Sequence, residues 1–169
     1  MKATEVLVDG FGRVREVVHE VVEGLSAEEL NARLDPEANS ISWLVWHLTR
    51  VQDDHLADAA GTDQLWSAGG WAERFALDLP ADATGYGHGP REVAAVRVDS
   101  GELLLGYHDA VHERTLSHLR GLAAADLDRV VDDRWDPPVT LAVRLVSVLS
   151  DELQHAGQAA FVRGALQRR

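Results

Sequence analysis

Apolar residues recur at every third or fourth position in four long parts of the chain, and this spacing predicts amphipathic helices. Ser26 and Glu29 form a capping box, which predicts a short helix that ends before Asp35-Pro36. The last long stretch is apolar on nearly every side, which predicts a helix packed against several neighbours. The four predicted long helices cover residues 3–24, ending at Gly24; about 40–60, capped by Ser40 or Ser42 and stopped by Gly61; about 100–119, capped by Asp99 or Ser100; and about 139–167, opening at Val139 or Thr140.

Residues 61–98, between the second and third long helices, lack this regular spacing of apolar residues. Glycines, a proline and the run from Gly85 to Pro90 are spread through the segment, around two expected short helical pieces near Trp71 and Arg91. Such a long connection is uncommon in a compact domain and is often functional. The sequence therefore predicts an all-α protein, one domain over residues 1–169, with a crossover at one end of the bundle.

Composition narrows the functions that such a domain can have. The chain has 46% hydrophobic and 26% charged residues, as is usual for globular proteins, and a formal net charge of −12. This charge repels phosphate backbones and acidic membrane surfaces, so neither nucleic acid nor membrane is an expected partner. No apolar run reaches the roughly 20 residues of a membrane span, and no signal peptide is recognisable, so we expect a cytoplasmic protein. The sequence leaves a homodimer open.

The chain contains no cysteine. This excludes disulfides, cysteine-ligated zinc and a thiol nucleophile that belongs to the protein itself. Any thiol chemistry must therefore use an external thiol.

Asp151 and His155 form the most informative pair of polar residues, because they lie four positions apart in the apolar fourth helix. At this spacing both side chains can converge on one point. His47, on the apolar side of the second helix, is the best candidate for a third ligand. Three protein ligands leave coordination positions open, which is typical of a catalytic metal site. The alternative is an Asp151 paired with Arg144 and a His155 hydrogen-bonded in the core.

His108 and His112 form a rival pair with the spacing His-x-x-x-His, which by spacing alone is the better zinc motif. Helical geometry places His112 toward the polar flank of the third helix. We therefore expect a solvated or interface pair there rather than the functional metal site.

Four further residues are candidates for binding or orienting a substrate. Asp54 lies almost in line with His47, two turns on, and Arg144 lies on the same face as Asp151. A guanidinium at Arg144 could receive a carboxylate bidentately or pair with an acidic connector. Tyr86 and His88 lie in the glycine-rich loop, which could close over the site or simply form a turn.

Two segments carry a resemblance to a known family: ISWLVWHL from Ile41 to Leu48, and DELQHAGQ from Asp151 to Gln158. They resemble the DinB-like superfamily and, within it, the mycothiol-dependent actinobacterial branch of maleylpyruvate isomerase-like and mycothiol S-transferase-like proteins. This resemblance implies a four-helix bundle with a long crossover between the second and third long helices. It also implies metal ligands at His47, Asp151 and His155. Asp151 stands where the family more often has His or Glu, and its shorter side chain is expected to alter the metal preference.

The resemblance implies chemistry on a small thiol. A divalent metal, Zn²⁺ or else Ni²⁺, Co²⁺ or Mn²⁺, would bind the sulfur of mycothiol as thiolate and present it to a small electrophile, with Asp54 and Arg144 orienting the substrates. Such a transferase would act in detoxification. Two alternatives stay open: a non-catalytic, stress-associated metal-binding bundle, and a metal-dependent hydrolase that activates water.

Overall fold

The computed structural model describes residues 2–168 and confirms an all-α, four-helix-bundle fold. Its helices are α1 (Ala3–Val22), α2 (Ala27–Asn31), α3 (Ile41–Ala60), α4 (Leu65–Ala68), α5 (Trp71–Phe75), α6 (Pro90–Ala95), α7 (Gly101–Gly121) and α8 (Leu141–Leu166). The long helices α1 and α3 each pack against both α7 and α8, so α1 lies diagonally across the bundle from α3. No helix within residues 2–168 is long and apolar enough to cross a membrane.

The ends of the long helices follow local capping chemistry. The hydroxyl groups of Ser40 and Thr140 accept hydrogen bonds from backbone N–H groups of the first turns of α3 and α8. Ser100 does the same for α7. At the other end of α3, Gly61 adopts a left-handed conformation with φ of +66°, which a residue with a side chain rarely adopts. The predicted boundaries of these helices are confirmed because capping depends on neighbouring residues alone.

The connections are more structured than the sequence predicts. The crossover contains three short helices, α4 to α6, rather than two. Between α7 and α8 lie a 3₁₀ turn, Ala124–Asp128, and an antiparallel pair of strands, β1 (Val130–Asp132) and β2 (Val139–Thr140). These strands are too short to show an alternating apolar pattern, so only their pairing with each other identifies them.

Two buried charged residues of α3 hold the crossover against the bundle. The carboxylate of Asp53 accepts hydrogen bonds from the N–H groups of Leu65 and Trp66, at 2.9 and 2.7 Å, and from the Tyr107 hydroxyl at 2.8 Å. The guanidinium of Arg50 donates to the Ala83 carbonyl at 3.0 Å and packs on the Trp66 ring. The beginning and the middle of the connection are thereby fixed to α3.

The expectation for His108 and His112 is wrong. His112 is 3% exposed and His108 is 1% exposed, so this pair is neither solvated nor at a free surface. Helix α1 covers that flank of α7, and its residues Arg15 and His19 bind Asp109 of α7 at 2.8 and 2.9 Å. Helix α8 packs against several neighbours, as predicted, and its apolar residues also continue around a face that no element of residues 2–168 covers.

The burial of His108 predicts how stability depends on pH. Burial, and then the neighbouring His112, lowers the pKa of His108 from 6.5 to about 3. Below pH 6.5, His108 is therefore protonated in the unfolded chain but stays neutral in the folded protein. This difference in protonation should lower the free energy of unfolding by about 1.4 kcal/mol for each pH unit below 6.5.

We therefore expect His108→Leu to flatten the loss of stability between about pH 6.5 and pH 4, measured by urea unfolding with a chelator present. The slope against pH is the readout, because repacking changes stability equally at every pH. An unchanged slope would show that His108 is protonated in the folded protein.

Candidate metal centre

His47, Asp151 and His155 meet between α3 and α8. One potential ligand atom from each residue lies within 4.8 Å of those of the other two. Nε2 of His155 lies 3.5 Å from Oδ1 of Asp151, and the His47 and His155 rings are 4.7 Å apart between centroids. Of the described residues with carboxylate or imidazole groups, no other three meet this criterion.

The crossover fixes the orientation of the His47 ring. Nδ1 of His47 donates to the Thr84 carbonyl at 2.5 Å, which leaves Nε2 as the nitrogen with a free lone pair. Gly85 follows with φ of +104°, and a Cβ there would lie 2.3 Å from Nδ1 of His47. Only glycine allows the loop to approach the ring this closely. In the same way, Nδ1 of His155 bonds to Oε1 of Gln158 at 2.8 Å and leaves Nε2 toward Asp151.

Aromatic rings enclose the two histidines. Trp43 stacks on His47 with centroids 4.6 Å apart and meets His155 edge-on at 6.2 Å. Tyr86 contacts His47 edge-on at 5.5 Å. His88 lies behind this layer, because its Nδ1 accepts from the Trp43 indole at 3.1 Å and its ring stacks on Trp46. His88 therefore holds Trp43 in place, while Tyr86 reaches the site itself.

The two histidines have opposite pKa shifts. Burial lowers the pKa of His47, so its imidazole is neutral and able to bind a metal at neutral pH. The carboxylate of Asp151 raises the pKa of His155, because it stabilises the imidazolium. A proton and a metal therefore compete for Nε2 of His155.

The residues present fit a divalent metal. Oδ2 of Asp151 is buried and has no hydrogen-bond partner among residues 2–168, although a carboxylate oxygen in such a place needs a cation or donors. Two imidazoles and one carboxylate form a donor set that catalytic zinc and ferrous iron both accept. The hydrogen bonds of His47 and His155 supply the outer contacts that such ligands normally have.

A cavity of about 540 Å³ opens beside Asp151. Asp54, Tyr86 and Arg144 line it, together with residues that the sequence did not single out, His55, Asp58, Asp132, Arg134 and Trp135. Neither His47 nor His155 lines this cavity, so Asp151 is the part of the cluster that faces it. A volume of this size accommodates a small molecule beside the cluster.

The Arg144 guanidinium is already engaged by the protein. It donates to Asp132 at 3.2 Å and lies 3.5 Å from Asp58, so the acidic connector before α8 supplies its partner. Nη1 also donates to Nδ1 of His55 at 3.0 Å, which leaves the proton of the neutral His55 ring on Nε2. Burial and the Arg144 charge both lower the pKa of His55. His55 is therefore a neutral hydrogen-bond donor in the cavity wall.

Asp54 lies in the same wall, where its Oδ1 accepts from the Gln64 side chain at 2.6 Å. The roles proposed for Asp54, Arg144, Tyr86 and His88 in binding a substrate stay predictions. The sequence contained an indication that His55 faces the site, because it lies on the same predicted inward face of the second long helix as His47. For Asp132 it offered only the general expectation that Arg144 could pair with an acidic connector, and the contact itself depends on the β1–β2 turn.

Fold and site together define a four-helix bundle with a two-histidine, one-carboxylate cluster between its second and last long helices. The sequence model of the DinB superfamily matches residues 11–159. The chain belongs to the DinB superfamily. A crystal structure of a conserved protein from Enterococcus faecalis is 36% identical and covers 96% of both chains with a TM-score of 0.91. No curated protein matches the chain.

The close approach of Gly85 to His47 gives a test of the cluster with a matched control. We expect Gly85→Ala to weaken metal binding by roughly 10- to 100-fold, because the new methyl group must displace the His47 ring. Gly87 also has a positive φ, of +72°, but a Cβ there meets nothing within 4 Å. Gly87→Ala therefore introduces similar backbone strain and should bind metal as the wild type does. Equal affinities of the two variants in metal titrations would contradict this role of His47.

Proposed function

We propose that this protein is a divalent-metal-dependent transferase that activates a low-molecular-weight thiol for attack on a small electrophile. The observation that carries the proposal is the cluster of His47, Asp151 and His155 beside a cavity of about 540 Å³. The chain has no cysteine, so a thiol nucleophile must come from outside. Mycothiol is the proposed thiol, on the resemblance of the segments around His47 and His155 to the mycothiol-dependent branch. Zn²⁺ is the proposed metal.

A divalent metal held by the cluster would lower the pKa of a thiol that coordinates to it, so that the sulfur becomes nucleophilic at neutral pH. The protein would hold the imidazole ligands in fixed orientations. Thr84 and Gln158 fix the two imidazoles, and Trp43 packs against both rings.

The cavity wall would orient the reactants. Nε2 of His55 can donate to a carbonyl or hydroxyl oxygen, and Tyr86 offers a hydroxyl and an aromatic edge close to His47. Asp132 holds the Arg144 guanidinium against the wall, so Arg144 orients its neighbours and any substrate acceptor that reaches its remaining N–H groups. In the transfer, the sulfur bonds to the electrophilic carbon while the leaving group departs with its electron pair.

We expect the purified protein to contain about one divalent metal per chain, measured by elemental analysis, because three ligands already converge on rigid helices. His155→Ala should remove the metal. The variant in which His108 and His112 are both alanine is the control and should retain it. If the double variant loses the metal and His155→Ala keeps it, the site lies on α7 instead.

Consumption of a thiol by a generic electrophile, such as monochlorobimane, tests the reaction itself. The rate should require an added thiol, be greater with mycothiol than with glutathione, and disappear on chelation. A free thiol with pKa near 8.5 is mostly protonated at neutral pH, which is why the metal is needed. Ester hydrolysis without thiol would indicate a metal-dependent hydrolase, and metal binding without turnover would indicate a non-catalytic metal-binding protein.

A further inference from the structure

The tautomer of His55 is fixed by a buried arginine. Nη1 of Arg144 lies 3.0 Å from Nδ1 of His55, and a guanidinium can only donate, so Nδ1 must be the acceptor. The single proton of the neutral ring is therefore on Nε2. Within residues 2–168 this Nε2–H group has no hydrogen-bond partner, and the His55 side chain lines the cavity beside Asp151. His55 thus offers the cavity a donor that the protein itself does not use.

The strand β1 keeps Arg144 in this position. Arg144 and Asp132 are both more than nine-tenths buried, and Nη2 of Arg144 donates to Oδ2 of Asp132 at 3.2 Å. Asp58 of α3 lies 3.5 Å from Nη1. If Arg144 moved away from His55, this buried ion pair would break and leave an uncompensated charge. The contact between Arg144 and His55 is therefore built into the packing of α3, α8 and β1.

The cation decides which chemistry His55 can perform. In a catalytic triad, a carboxylate binds one ring nitrogen of a histidine, and the other nitrogen acts as a base. Here a cation donates to the ring, which withdraws electron density and makes Nε2–H a stronger donor. Burial and the Arg144 charge both lower the pKa of His55, so the ring stays neutral. A neutral imidazole of this kind polarises a substrate oxygen and does not remove a proton.

The other groups of the cavity favour an uncharged substrate. Both guanidinium groups that line it already bind Asp132. The exposed rings of Tyr86 and Trp135, at 62% and 66%, offer apolar surface. A substrate carboxylate or phosphate would meet more negative than positive charge, because four carboxylates and two guanidinium groups line the cavity: Asp54, Asp58, Asp132 and Asp151, with Arg134 and Arg144.

We propose that His55 is a catalytic hydrogen-bond donor, and that the electrophile is an uncharged molecule in which the reaction places negative charge on an oxygen atom. This inference rests on the proposed transferase function, since it names the class of electrophile that the thiolate attacks. Asp151 lies close enough for its charge to act on His55, so both face the same part of the cavity. The oxygen that accepts from Nε2–H would therefore lie beside the metal cluster.

Two kinds of electrophile have this chemistry. In an epoxide, the sulfur bonds to a ring carbon, and the carbon–oxygen bond breaks with its electron pair on the oxygen. In a conjugated ketone, the sulfur bonds to the far alkene carbon, and the π electrons shift until the charge lies on the carbonyl oxygen. His55 stabilises either oxyanion by a hydrogen bond without giving up its proton. Water then returns the proton that the thiol released, so the product is the sum of thiol and electrophile.

Nitrogen NMR of the histidine rings tests the tautomer without any turnover. With and without a chelator at neutral pH, the ring whose signals His55→Phe removes should carry its proton on Nε2. Arg144→Met should release this ring into a mixture of tautomers. Arg134→Met is the matched control, because Arg134 also binds Asp132 but makes no hydrogen bond to His55, and it should leave the tautomer unchanged. A proton on Nδ1 in the wild type, or the wild-type tautomer in Arg144→Met, overturns the proposal.

The substrate class is tested by rates with an epoxide, a conjugated ketone and monochlorobimane, from which chloride rather than oxygen takes the electron pair. His55→Phe should lower kcat/KM roughly 100-fold more for the epoxide or the ketone than for monochlorobimane, as loss of an oxyanion donor does. The one that shows this loss identifies the source of the oxygen. His55→Gln keeps an N–H donor and should recover part of the rate. Equal losses with all three overturn this inference alone, whereas a wild type that reacts with none refutes the transferase function as well.

Discussion

The candidate site depends on two buried charged residues of α3, Arg50 and Asp53, which hold the crossover against the bundle. Each is about 1% exposed, and such groups are tolerated inside a protein only when hydrogen bonds replace the lost water. Here the hydrogen bonds come from the backbone of the crossover. Asp53 accepts from the N–H groups of Leu65 and Trp66, and Arg50 donates to the Ala83 carbonyl. The carbonyl of the next residue, Thr84, accepts the hydrogen bond from Nδ1 of His47. The hydrogen bonds of Arg50 and Asp53 thereby help to set the orientation of a candidate metal ligand.

The connection between α7 and α8, which contains β1 and β2, shapes the cavity in a similar way. Asp132 at the end of β1 binds both Arg134 and Arg144, and these contacts lower the pKa of its carboxyl group. The connector therefore determines how much of the Arg144 guanidinium faces the cavity. The acidic partners of Arg144 come from two elements, Asp132 from β1 and Asp58 from α3. The connections between helices thus add Tyr86, Asp132, Arg134 and Trp135 to the cavity wall, to which α3 and α8 also contribute.

The interior also contains polar groups without hydrogen-bond partners among residues 2–168. Both carboxyl oxygens of Glu152 and both ring nitrogens of His108 are in this position. Burial raises the pKa of Glu152 and lowers that of His108, so each is uncharged inside the bundle. Each such group costs about 1–3 kcal/mol relative to a satisfied one. This core therefore gives up stability that an entirely apolar packing would keep.

The sequence by itself determined the long helices, because periodicity and caps such as Ser40 and Thr140 act over a few neighbouring residues. It also determined the pairing of Asp151 with His155, since one helical turn joins them. Only the tertiary structure decided that His47 completes the cluster, because 104 positions separate it from Asp151 and packing of α3 on α8 brings them together. It likewise decided that α1 buries His112 and that one face of α8 stays uncovered. A residue's own neighbours in the chain carry no information about which helix packs over it.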